Sequence, residues 1–152
     1  MQTLEPILAE HPFFKDLDPK YLNIVVGCAS NTRFDAEQRI YKEGDPADNF
    51  YLIREGRIGL EISIPHKGNI TIQTVDKGDI LGWSWLFPPY KWRFTAVAYE
   101  PVRAIALDGA CLRGKCEEDH QLGYEIYKRF SDVVVQRLQA TRLQLLDVYG
   151  HK

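Results

Sequence analysis

The sequence predicts a mainly β fold, an antiparallel barrel flanked by helices, on three observations. From about Thr32 to Leu107, short apolar runs alternate with turn residues at intervals of about ten residues. Ahead of them lie two short stretches with helix-start chemistry, and behind them an apolar stripe recurs at spacings of three and four. Short strands at this spacing signal a sandwich or barrel rather than a parallel sheet.

The elements follow in order. Residues 4–17 predict a helix broken at His11-Pro12, because the residue before proline is pushed out of the α region. Asp18-Pro19 then opens a second helix, with Asp as N-cap and Pro at the first helical position. In the barrel, "FYLI", "IGLEISI" and "ITIQTV" predict strands; Ile58, Leu60, Ile62 and Ile64 alternate strictly. Glu-Gly-Asp-Pro, Glu-Gly, His-Lys-Gly-Asn and Lys-Gly-Asp supply the turns. The last helix is expected from about Glu117 to Val148, with Leu122, Ile126, Phe130, Val134, Leu138, Thr141, Leu145 and Val148 as its stripe. At about 45 Å it outruns a small barrel, so its later part is expected to face a second copy of the chain. The parts form one domain over 1–152: N-terminal helices in 1–31, a barrel in 32–108 and the C-terminal helix in 117–149.

Composition excludes several function classes. A net charge of −2 argues against a general nucleic-acid binder, whose affinity rests on neutralising phosphates. The opening "MQTLEPILAEHPFF" carries acids where a signal peptide has bases, and no apolar run is long enough for a membrane span. Cys28, Cys111 and Cys116 form an odd set without a CxxC pair, so free thiols in a reducing cytoplasm are expected, in a chain long enough to fold without staples. His11, His66, His120 and His151 are scattered and make no metal set, and no nucleophile–base spacing stands out. No catalysis is expected, and no cofactor is certain.

The segment Gly78 to Val97, "GDILGWSWLFPPYKWRFTAV", holds all 3 tryptophans together with Phe87, Tyr90, Phe94, Lys91 and Arg93. Two geometries fit it: a short helix after Gly82, or a hairpin about Pro88-Pro89 with one aromatic face. Trp85 and Phe87 are expected in the core. Tyr90, Lys91 and Trp92 are expected at an exposed loop tip.

"EGDPADNFYLIREG", Glu43 to Gly56, resembles the early turn of the cyclic nucleotide-binding domain family, G-D-x-A-D-x-x-Y-x-I-x-x-G. Gly44, Asp45, Ala47, Asp48, Tyr51, Ile53 and Gly56 all match it. "HPFFKDL" is similar to the family's leading helical segment. The resemblance covers about residues 4 to 149 and implies a β-roll or jelly-roll barrel with a long C-terminal helix, as in the sensor domain of bacterial catabolite activator-like regulators. It makes the aromatic segment a phosphate-binding cassette, with Gly82 at the glycine position and Arg93 at the arginine. The implied ligand-binding set is Gly82, Trp83, Ser84, Arg93, Phe94, Thr95 and Thr141, the last matching a helix threonine that meets the adenine. Amides after Gly82 and the Arg93 guanidinium would suit an anion.

Two positions depart from the pattern. Trp83 stands where the family has a glutamate for the ribose hydroxyl, and Phe94 where a small polar residue follows the arginine. Losing a hydrogen bond to a charged acceptor costs about 1.5–3 kcal/mol, or one to two decades of affinity. The expectation is therefore a stand-alone sensor that takes a small anionic or nucleotide-like ligand, or cyclic AMP only weakly. Arg93 would sit on the floor of an aromatic pocket. The alternative is a ligand-free pseudo-sensor, plugged by Trp83, acting as a dimeric interaction module for a protein partner not legible in the sequence. With the chain stopping at Lys152, no helix-turn-helix follows, and direct DNA binding is not expected.

Overall fold

A computed structural model describes residues 4–150 of the chain; Met1 to Thr3, His151 and Lys152 lie outside the described residues. Helix α1 (Glu5–Glu10) ends where His11 turns extended ahead of Pro12. A single 3-10 turn, Pro12–Phe14, follows, with the His11 ring accepting from the Phe13 amide at 3.2 Å. Helix α2 (Pro19–Val26) starts as its sequence dictates, Asp18 accepting from the Lys20 amide at 2.9 Å and Pro19 at the first position.

Eight strands make two antiparallel four-stranded sheets. Strands β1 (Ala29–Phe34), β8 (Val102–Asp108), β3 (Asn49–Glu55) and β6 (Ile80–Leu81) lie side by side in one. The other is ordered β2 (Arg39–Tyr41), β7 (Thr95–Ala98), β4 (Ile58–Ile64) and β5 (Gly68–Val75). Successive side chains of a strand point to opposite faces. On β8, Val102 and Ala104 therefore join Ile53, Ile58, Leu60 and Ala96 between the sheets, whereas Ile105 and Leu107 join Phe50 and Leu52 under the helices. The turn that carries the family pattern closes at Gly56, with φ of +99°, where an added Cβ would stand 2.4 Å from the Pro101 carbonyl oxygen. Only glycine fits there.

The chain turns helical at Gly109, earlier than the Glu117 expected. Helix α3 (Gly109–Glu118) is capped by Asp108, whose side chain accepts from the Cys111 amide at 3.0 Å. After a break at Asp119 comes α4 (His120–Gly150). Periodicity alone missed α3 because its sequence, GACLRGKCEE, is polar and buries only Gly109, Leu112 and Cys116. On α4, Leu122, Ile126 and Phe130 are buried, and Phe130 meets Phe13 at 4.9 Å and Phe50 at 5.0 Å edge-on. Arg129 fastens the same turns, donating from Nε to the Phe13 carbonyl at 2.9 Å and from Nη2 to that of Lys15 at 3.0 Å. Farther along the stripe, Leu138, Leu145 and Val148 are exposed. Among the described residues no helix is long and apolar enough to cross a membrane.

The cysteines depart from expectation. Cys28 and Cys111 form a disulfide across 83 residues of sequence, with Cα atoms 5.8 Å apart, and Cys116 is a buried free thiol. Their partnership could not be read from spacing, because the β1–β8 pairing brings them together: Ala29 lies opposite Leu107.

Candidate functional site

The aromatic segment leaves β6 of one sheet at Leu81 and enters β7 of the other at Thr95. Gly82 has φ of +99°, and an added Cβ would lie 2.5 Å from the Trp92 ring. Both the backbone and the neighbour demand glycine. A 3-10 turn, Ser84–Leu86, follows, so of the two geometries the sequence allows it is the short helix that forms.

The three tryptophans go to three destinations. Trp85 is wholly buried under α4, stacked on Phe50 at 4.6 Å and edge-on to Phe130 at 5.2 Å. Trp92 lies inside the barrel mouth, stacked on Tyr41 at 3.8 Å with ring planes 9° apart. Trp83 is half-buried and meets Phe94 edge-on at 5.9 Å. Of Trp83 and Trp92, Trp92 is the more deeply buried. Phe87, expected in the core, is exposed, while Trp92, expected at the loop tip, is buried.

Arg93 is exposed and does not form a pocket floor. Its placement has a simple cause. From Lys91 to Ala98 the chain alternates, with Trp92, Phe94, Ala96 and Ala98 turned inward, and Lys91 and Arg93 turned to solvent. Thr95 is half-buried on the outward side, where its hydroxyl accepts from the Glu43 amide at 3.1 Å. Ser84 is buried and borders the barrel mouth. Thr141 is exposed on α4, its hydroxyl donating to the Arg137 carbonyl at 3.0 Å and accepting from Gln73 at 3.2 Å.

What remains of the pocket, between Tyr41, Gly82, Trp83, Trp92, Phe94 and Arg137, is a void of about 10 Å³. That is about enough for one water molecule. The cation that reaches it is Arg137, which sequence reasoning missed because it sits on α4, one helical turn before Thr141. Its Nη2 donates to the Ile80 carbonyl at 2.8 Å and its Nη1 to Gln73 Oε1 at 3.4 Å. Burial lowers its pKa and Asp79 acts in the opposite sense. Burial likewise pushes the Tyr41 hydroxyl well above its ordinary value, so that side chain is a neutral stacking surface. Outside the void, an open groove of about 850 Å³ runs between α4 and the Pro12–Phe14 turn. Lys15, Asp16, Asp79, Lys128 and Asp132 border it, so it presents no single sign of charge.

The sequence profile of the cyclic nucleotide-binding domain matches residues 31–119. A CRP-like cAMP-activated global transcriptional regulator of Mycobacterium tuberculosis is 21% identical over 145 residues, 95% of this chain. The chain spans 63% of that relative's length. A protein of Geobacter metallireducens described as a cyclic nucleotide-binding protein has the same architecture, with a TM-score of 0.80 and 30% identity over 91% of this chain and 99% of that one. A cyclic nucleotide-binding domain from Methylobacillus flagellatus shares the fold at a TM-score of 0.80 and 21% identity, covering 95% of this chain and 82% of its own. With the barrel order and the Gly44–Gly56 turn in place and the profile matched over more than half of its length, the chain belongs to the cyclic nucleotide-binding domain family.

Proposed function

We propose that this domain is a dimeric, non-enzymatic regulatory module whose nucleotide pocket is held shut by its own rings. The observation that carries the reading is the stack of Trp92 on Tyr41 over Gly82, which leaves about 10 Å³ where ligand sites commonly offer about 300 Å³ or more. Trp83 at the ribose position and Arg93 in solvent support it, because the two strongest polar contacts of a cyclic nucleotide then have no counterpart inside. The test is calorimetry of the full chain with cyclic AMP and cyclic GMP. No saturable heat is expected up to about 0.1 mM nucleotide, and a dissociation constant below about 1 μM would overturn the reading.

A second reading, a sensor for a small anionic or nucleotide-like ligand, is favoured by one observation. Arg137 borders the void and its guanidinium bonds a carbonyl and an amide oxygen, so a ligand that displaced Trp92 would meet a charged, forked donor.

The dimer is proposed from α4. Val135, Leu138, Arg142, Leu145 and Tyr149 follow one another at three, four, three and four residues, the spacing of a coiled-coil seam. Leu138 is 66% exposed and Leu145 56% exposed, with none of the described residues covering them. Sedimentation should give a dimer at micromolar concentration. Leu138→Glu with Leu145→Glu should give a folded monomer, and an unchanged mass would place the contact elsewhere.

A further inference from the structure

The Cys28–Cys111 bond joins the turn between α2 and β1 to the first turn of α3. The barrel does not need it for register. β1 and β8 pair over six residues beside it, and the Cys28 carbonyl accepts from the Asp108 amide at 2.9 Å. Nor is the chain too small to fold unaided, since two apolar clusters fill the helix–sheet and sheet–sheet layers. What the bond holds is α3, and α3 is wired to the aromatic segment. Gly109 presses on the Trp85 side chain, where an added Cβ would be 2.9 Å from Trp85 Cβ. Arg113 donates to the Trp85 carbonyl and lies 4.2 Å over the Tyr90 ring. Tyr90 is two residues from Trp92, and the Trp92 amide and carbonyl are both bonded to the Asp45–Gly44 turn.

We propose that Cys28–Cys111 is a reversible redox clasp, opened by a dithiol reductant, whose opening loosens α3 and with it the 85–92 segment that closes the pocket. A reductant thiolate attacks Sγ of Cys111, which is partly exposed, and the S–S bond breaks. Cys28, only 7% exposed, leaves as a thiolate and takes a proton. The reductant's second thiol then attacks the mixed disulfide and releases Cys111. Two cysteine thiols and one reductant disulfide result, with two electrons transferred. Cys116 stays out of the exchange, because burial pushes its pKa up to about 11 and it remains a thiol. In a compartment that keeps thiols reduced, a bond of this kind belongs with redox-sensing disulfides rather than permanent staples.

The clasp depends on the closed-pocket reading only for the part Trp92 plays, and its test does not use a nucleotide. Alkylation of the air-purified, denatured full chain should label Cys116 alone, and all three cysteines after dithiothreitol. Hydrogen exchange is then compared in oxidised protein, reduced protein and Cys28→Ser. Reduction should speed exchange in residues 85–92 and 109–118 at least tenfold more than in β4 and β5, and Cys28→Ser should reproduce this. Arg113→Ala should speed 85–92 with the disulfide still intact. Three labelled cysteines before reduction would overturn the clasp, as would acceleration spread evenly over the barrel or absent from 85–92. An unchanged 85–92 segment in Arg113→Ala would remove the coupling.

Discussion

Trp85→Ala is expected to be among the most damaging single substitutions in the chain, lowering stability by about 3–5 kcal/mol. Its side chain is fully buried where three parts of the molecule meet: Phe50 from β3, Phe130 from α4 and Gly109 at the start of α3. Deleting the ring removes apolar contact from all three and leaves a cavity whose walls are rings and backbone, which collapse poorly. A domain of this size loses about 2–4 °C of melting temperature per kcal/mol, so a fall of about 10 °C should be seen by circular dichroism. Trp85→Phe keeps the stack on Phe50 and should lose less than half as much. If Trp85→Ala melts within about 2 °C of the parent, the aromatic cluster is not what docks α4.

Trp92→Ala should have the opposite value for function and a similar cost in stability. The ring now lies against Tyr41 and over Gly82, so its removal vacates a flat slot with Tyr41 as one wall and Arg137 at its edge. A nucleobase stacked on such a wall gains about 1–3 kcal/mol, and the guanidinium adds a charged donor. Cyclic AMP should therefore bind Trp92→Ala at least ten times more tightly than the parent in calorimetry. Adding Trp83→Glu, which restores the acid at the ribose position, should contribute about one further decade. A Trp92→Ala variant that is folded but no better at binding would mean that the missing polar groups, rather than the indole, keep nucleotides out.

The barrel was legible because its turns carry their own chemistry. Gly44, Asp45, Ala47, Asp48, Tyr51, Ile53 and Gly56 mark a local structure whose constraints lie within thirteen residues. Asp18-Pro19 is as local, and α2 starts there. The cassette was harder, since residues 82 to 94 belong to no long strand or helix and no period assigns their faces. One signal lay within reach: Trp92, Phe94, Ala96 and Ala98 alternate with Lys91 and Arg93, and read as the lead-in to β7 this puts Trp92 inside and Arg93 outside. Reading Lys91 and Trp92 together as a loop tip concealed it. Arg137 and the Cys28–Cys111 pair were beyond local reading altogether. Each meets partners more than fifty residues away, through packing that only the assembled sheets create.

Helix α4 has one further mechanical property. Its last buried residue is Phe130, and from there to Gly150 it runs about 30 Å, with side-chain ties to β5 from Gln73 to Arg137 and Thr141 and from Gln144 to the Ile72 carbonyl. With those ties released, such a rod would pivot where Phe130 meets Phe13, Phe50 and Trp85. A tilt of about 10° at that fulcrum, within what a few side-chain rotations absorb, sweeps the far end through about 5 Å, roughly one helical turn. Motions too small to disturb the barrel's hydrogen bonds are thereby magnified at the end where a second copy would grip.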